Sequence, residues 1–93
     1  MMRFYRCRHP ERTFGAGLHE WLVEPVVRTF FFVGKDSDRP TPYDRDLLRR
    51  DFDLIPTADV PVPIRRRAAG RWAAFCRWRA LASRRGLEAG RHA

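Results

Sequence analysis

The first third of the chain carries the alternation of apolar and polar residues that is typical of β-strands. In residues 2–9, Tyr5 and Cys7 fall on one face and Phe4 and Arg6 on the other, which predicts an edge strand with a solvent-facing side. Residues 18–34 form a second extended region. Because Pro25 cannot donate to a neighbouring strand, it predicts an edge position, a bulge or a break between two strands in this region.

The stretch after Pro25 predicts an inner strand. Both of its faces are apolar, as is typical of a strand covered on two sides: one holds Val26, Phe30 and Phe32, and the other holds Val27, Phe31 and Val33. The predicted strand region therefore covers residues 1–34. We expect two or three antiparallel strands within it.

Helical patterns follow in the second half of the chain. Residues 41–50 predict a short helix, with Thr41 as its N-cap, Pro42 in its first position and Tyr43 and Leu47 on its buried side. Beyond this helix, residues 51–63 carry three prolines in the stretch 56–63. These prolines predict an extended connector or an edge segment.

The last element is a long basic helix, predicted over residues 64–85. Gly86 is expected to end it, which leaves residues 86–93 as a tail. At about 100° per residue, one apolar stripe forms along this helix. The stripe, which we expect to pack on the sheet, holds Ile64, Ala68, Phe75 and Ala82, with Trp72 and Trp78 on its flanks. A second seam of small residues would let another backbone approach closely: Ala69, Ala73, Cys76 and Ala80.

Together these elements predict an α+β fold in one small domain of residues 1–93. Two or three antiparallel N-terminal strands would form the sheet, and a short helix and the long basic C-terminal helix would pack on it. The length of 93 residues fits one domain, and a hydrophobic fraction of 44% is sufficient for a core.

The charge of the chain is high and unevenly distributed. Its net charge is +8, with +3 in residues 1–12, −3 in residues 13–59 and +8 in residues 60–93. This distribution predicts a polyanionic partner, either nucleic acid or an acidic protein surface. Lys35 is the only lysine beside eighteen arginines. The guanidinium fork suits phosphate and carboxylate, although the codon bias of a GC-rich genome would give the same ratio.

The candidate binding residues are therefore arginines. Those of the long helix are Arg65, Arg66, Arg67, Arg77, Arg84 and Arg85, and those of the N-terminal strand are Arg3, Arg6 and Arg8. We expect a non-enzymatic binding module that contacts the phosphates of nucleic acid or a ribonucleoprotein without reading bases. Alternatively, the chain is a small structural or inhibitory subunit of a large protein assembly, such as a virion, and the same arginines meet carboxylates of an acidic protein.

The run of three arginines at residues 65–67 falls at the start of the predicted helix. The helix dipole disfavours cations there by roughly 0.3–1 kcal/mol each. A docked anion would reverse this effect, because free N–H groups and guanidinium groups would converge on it. Alternatively, Asp51, Asp53 and Asp59 fold back from the preceding segment and neutralise the run.

The aromatic residues of the long helix alternate with arginine in the stretch RWAAFCRWR. Aromatic side chains in such a setting can stack on unpaired bases. Because Trp72, Phe75 and Trp78 lie on the apolar stripe, the pattern favours core anchors, with Arg71 and Arg79 extending around them.

No catalytic or cofactor chemistry is predicted. Cys7, His9, His19 and Cys76 carry atoms that can bind zinc, but one Cys-x-His spacing without a second matching pair does not predict a metal site. The chain has no nucleophile elbow, triad spacing or glycine-rich phosphate loop. Two cysteines, no signal peptide and no run of about 20 apolar residues predict a cytoplasmic protein without a transmembrane segment. Peripheral membrane contact is disfavoured, because arginine and tryptophan are not segregated on the long helix.

Overall fold

The structure, a computed structural model, describes residues 2–9 and 19–91, with side chains as far as residue 85. Its strands are β1 (Arg3–Cys7), β2 (Trp21–Val26), β3 (Thr29–Phe32), β4 (Thr41–Pro42) and β5 (Phe52–Ile55). Its helices are α1 (Arg45–Asp51) and α2 (Val62–Arg91), and a 3-10 turn covers Thr57–Asp59. The strands form one antiparallel sheet in the order β4-β3-β2-β1-β5. The predicted α+β single domain is confirmed.

The alternation of side chains gives the sheet two apolar faces, and a helix lies on each. The cluster on the α2 side consists of Phe4, Trp21, Val23, Phe31, Val33, Val60 and Ala68. The cluster on the α1 side consists of Cys7, Leu22, Phe30 and Phe52, and Tyr43 and Leu48 pack against it. Since Phe30 and Phe31 are buried on opposite faces, β3 is the inner strand that the sequence predicts.

The predicted extended region 18–34 contains a tight hairpin. Val27 and Arg28 connect β2 to β3, and Val26 pairs with Thr29. The prediction that Val26 and Val27 lie on buried faces is wrong, because both are exposed beside this turn. Arg28 has a φ of 62°, in the left-handed region that glycine or asparagine usually occupies. The pairing register shifts between Val23 and Val26, which agrees with a bulge, one of the three alternatives predicted at Pro25.

The short helix begins later than the sequence predicts. Thr41 and Pro42 pair with β3 as the short strand β4, so the predicted N-cap and first helical position are wrong. Asp44 is the N-cap, and its Oδ1 accepts a 2.8 Å hydrogen bond from the Asp46 N–H. The segment after this helix supplies β5, the edge strand beside β1. β1 pairs with β2 on its other side, so the prediction that β1 is an edge strand is wrong. Residues 56–63 then form a 3-10 turn and the first residues of α2 instead of an extended connector.

Helix α2 is much longer than the sheet on which it packs. Its 30 residues extend about 45 Å, whereas the longest strand, with six residues, extends about 20 Å. Only its first half can therefore contact the sheet. The predicted stripe is buried at Ala68 and half-buried at Phe75, but Trp78 and Ala82 are exposed, so the prediction for its second half is wrong. The helix also continues past Gly86 to Arg91, which corrects its predicted end, and residues 92–93 lie outside the described part.

Candidate functional site

The three candidate arginines of the N-terminal strand are paired within the chain. Arg6 Nη2 lies 3.1 Å from Glu20 Oε1, and Arg8 Nε lies 2.8 Å from Asp53 Oδ1. Arg8 also donates to the Arg50 carbonyl oxygen at 2.8 Å. Arg3 is more loosely paired, with its Nη1 4.0 Å from Glu24 Oε1. These carboxylates offset much of the positive charge that the sequence assigns to β1.

The loop after β3 neutralises part of the arginine run of α2. Arg67 Nε donates to the Val33 carbonyl oxygen at 2.9 Å, and its Nη2 lies 2.7 Å from Asp36 Oδ1. Asp36 is the carboxylate that pairs with the arginine run. No ion pair among the described residues joins the run to the predicted acidic partners, Asp51, Asp53 and Asp59. Arg67 therefore fastens α2 to the sheet.

One turn later, Arg71 makes a second attachment of α2 to the same loop. Its guanidinium donates to the carbonyl oxygens of Phe32 and Asp38, and it lies 4.9 Å from the centre of the Phe31 ring. Burial lowers the pKa of Arg71, while the Asp36 and Asp38 carboxylates act to raise it. An arginine remains charged under these conditions, so Arg71 joins the helix to the loop as a partly buried cation.

The first turn of α2 offers few groups to an anion. Because the helix begins at Val62, the arginine run starts at its fourth residue. Pro63 has no N–H, and the N–H groups of Ile64 and Arg65 donate to the Pro61 carbonyl oxygen at 3.0 and 3.1 Å. Arg65 is half-buried, with its Nε enclosed and without a hydrogen-bond partner. The predicted convergence of free N–H groups on an anion is therefore not found here.

The remaining arginines of α2 whose side chains the structure describes differ from these because they face solvent. They are exposed, and none forms an ion pair with another described residue: Arg66, Arg77, Arg79, Arg84 and Arg85. Four of the five lie beyond the edge of the sheet, where every side chain from residue 76 to residue 85 is exposed. The projecting half of α2, residues 76–85, is therefore a basic and exposed segment of the helix.

An aromatic row lies along α2 and reaches this projecting half. The ring centres of Trp72 and Phe75 are 5.7 Å apart, and those of Phe75 and Trp78 are 5.9 Å apart. Trp72 packs against the core, but Trp78 is 53% exposed, with the Arg39 guanidinium 5.3 Å from its ring centre. The prediction that all three rings anchor the core is wrong for Trp78, because the sheet ends before it. Between this row and the loop of residues 36–40 lies an open groove of about 550 Å³.

The structure does not bring the four candidate zinc ligands together. Cys7 is buried on the α1 side of the sheet, whereas Cys76 is exposed on α2, which lies on the opposite side. The His19 ring packs edge-on against Phe32 at 4.6 Å. The hydrogen bond from Arg50 lowers the pKa of Asp51, and His9 lies close enough to contribute in the same direction. No group of three His, Cys, Asp or Glu side chains suited to a metal ion occurs among the described residues.

Comparison with known proteins identifies no relative: no protein-family model, no curated protein and no solved structure matches the chain. Any function has to follow from the arrangement of its own side chains. Within the part of the chain that the structure describes, no helix combines the length and the apolar character needed to cross a bilayer. Helix α2 is long enough but too rich in arginine.

Proposed function

We propose that the chain is a non-enzymatic module that binds nucleic acid through the projecting half of α2. The observation that supports this most is the set of exposed arginines on α2 without ion-pair partners among the described residues, four of them on the part that extends beyond the sheet. Folding leaves these charges uncompensated, so a phosphate backbone can neutralise them and release its counterions. Phosphate contacts of this kind position a nucleic acid without reading its sequence.

The aromatic row favours single-stranded nucleic acid as the ligand. The exposed Trp78 ring lies beside the groove, within reach of an unpaired base, and base stacking on aromatic rings does not depend on base identity. The carboxylates of the groove are already engaged: Asp36 pairs with Arg67, and Asp38 Oδ2 accepts from the Phe32 N–H at 2.8 Å. We therefore expect bases to enter beside Trp78 while the phosphates follow the arginines of α2.

The affinity for a single-stranded oligonucleotide is expected to fall steeply with salt. If the four exposed arginines of the projecting half each contact one phosphate, the logarithm of the binding constant should fall with the logarithm of the salt concentration with a slope of about −2.8. Fluorescence anisotropy of a labelled oligonucleotide between about 50 and 200 mM salt measures this slope. A duplex of the same sequence serves as the comparison, and weaker binding of the duplex is expected. A flat response, or no binding at the lowest salt, would contradict the proposal.

A second candidate is the small subunit of a protein assembly that docks on an acidic surface. The observation that favours it is the small-residue seam of α2, which is exposed at Ala69, Ala73, Cys76 and Ala80. Leu81 adds an apolar side chain that is 53% exposed. Retention of cellular partners after nuclease treatment favours this candidate, whereas their loss favours nucleic acid.

A further inference from the structure

A second concentration of positive charge lies on the opposite face of the sheet from α2. Beside α1 and the β2–β3 hairpin, an open pocket of about 570 Å³ is bordered by Arg3, Arg28, Arg45 and Arg49. Of these, only Arg3 forms an ion pair with another described residue, at 4.0 Å from Glu24. Glu24 is the single carboxylate of the lining, so four guanidinium groups outnumber one acid. The side chains that line the pocket therefore carry more positive than negative charge.

The floor of this pocket is aromatic. The Phe30 ring lies 6.0 Å from Tyr5 and 6.0 Å from Tyr43, edge-on to both. Burial raises the pKa of both tyrosines, with further contributions from Glu24 at Tyr5 and Asp51 at Tyr43, so their hydroxyl groups keep the proton as donors. The pocket thus combines an apolar, ring-lined base with a cationic rim.

Two of the rim arginines occupy positions where arginine does not favour the fold. Arg28 has a φ of 62° at the hairpin turn, where glycine would relieve the crowding of the Cβ atom. Arg45 is the first residue of α1, at the positive end of the helix dipole, where a cation is disfavoured. Glu24 Oε2 accepts from the Arg28 N–H at 2.9 Å and so holds the turn by its backbone, while the guanidinium has no ion-pair partner among the described residues.

We propose that this pocket binds a nucleotide, with its phosphates between Arg28, Arg45 and Arg49 and its base against the half-buried rings of Tyr5 and Tyr43. Guanidinium groups bind phosphate oxygens in paired hydrogen bonds, and aromatic rings accept a base by stacking. The volume lies within the range of about 300–1,000 Å³ that is usual for small-molecule sites. This site is independent of the proposed function, since α2 contributes none of its lining residues.

Isothermal titration calorimetry with ADP, applied to the wild type and a matched set of variants, tests this site. We expect one ADP to bind the wild type at low salt, and Arg28→Gly and Arg45→Gln each to weaken binding about tenfold by removing one charged contact. Arg50→Gln is the control with the same change of charge: Arg50 lies on α1 but pairs with Asp51 and does not line the pocket. Its ADP affinity should equal that of the wild type. Arg28→Gly should also keep or raise the melting temperature, which distinguishes lost binding from lost folding.

Two ligands and one further variant define the outcomes that would overturn the proposal. Adenosine should bind far more weakly than ADP, and inorganic pyrophosphate should bind more weakly because it cannot use the aromatic floor. Absence of ADP binding to the wild type, equal affinity of Arg28→Gly and wild type, or equal affinity for pyrophosphate and ADP would each overturn it. Arg77→Gln/Arg84→Gln should bind ADP normally, so failure of this site and failure of the α2 interface can be told apart.

Discussion

Replacing Phe31 with alanine is expected to lower the free energy of unfolding by about 3–5 kcal/mol, the usual cost of removing a buried aromatic ring. Phe31 is 2% exposed and is one of the largest fully buried side chains. It lies in the cluster between the sheet and α2, and the Arg71 guanidinium rests on its ring. The substitution therefore removes core packing, and it also removes the ring that the Arg71 guanidinium contacts where Arg71 joins α2 to the loop after β3. Urea denaturation followed by circular dichroism measures the change.

Trp78→Ala is the control for this stability measurement. The ring of Trp78 is larger than that of Phe31, but it is 53% exposed and its contacts are Phe75 and Arg39. The substitution removes the contact with Arg39 but raises the helix propensity, and these two effects partly cancel. We therefore expect the free energy of unfolding to change by about 1 kcal/mol or less. Equal destabilisation by the two substitutions would show that α2 does not extend past the sheet as described.

The same Trp78→Ala substitution is expected to have a large effect on binding. If an unpaired base stacks on this ring, its removal should weaken single-strand affinity by about 1–3 kcal/mol, or roughly 5- to 150-fold. Duplex affinity should change little, because paired bases cannot reach the groove. Anisotropy titrations of both ligands at one salt concentration measure the two effects.

Trp78→Phe provides the conservative variant for this test. It keeps an aromatic face at the same position of α2, so most of the single-strand affinity should remain. If Trp78→Ala weakens duplex and single strand equally, or weakens neither, the ring is not a stacking platform. The arginines alone would then carry any binding.

Most of the fold follows from local patterns in the sequence. Alternation identifies β1 and the two-faced strand β3 because side chains on a strand point to opposite faces. The hairpin at Val27 and Arg28 could not be predicted, since turns with a positive φ are normally marked by glycine, asparagine or aspartate. Thr41 and Pro42 resemble a helix start, but pairing with β3 takes precedence over the local preference.

The candidate site could be predicted only in part, because charge compensation is a tertiary property. The sequence places arginines on α2, but the distinction between Arg67, which pairs with Asp36, and Arg77, which does not pair with a described residue, depends on where the 33–40 loop lies. Exposure of Trp78 depends on the length of the sheet. The pocket beside α1 had one usable indication, the four-residue spacing of Arg45 and Arg49 on a helix. Arg28 is brought there only by the hairpin.

The central claim is that arginines of the projecting half of α2, and not the overall positive charge, contact the nucleic acid. Its most direct test compares Arg77→Gln/Arg84→Gln with Arg6→Gln/Arg8→Gln, which remove the same charge from unpaired and paired positions. In the salt titration with the single-stranded oligonucleotide, each phosphate contact contributes about 0.7 to the slope of the logarithm of the binding constant against the logarithm of the salt concentration. The α2 variant lacks two such contacts, so the magnitude of its slope should be smaller by about 1.4. The β1 variant should keep the slope of the wild type. Equal slopes for the two variants would contradict the claim.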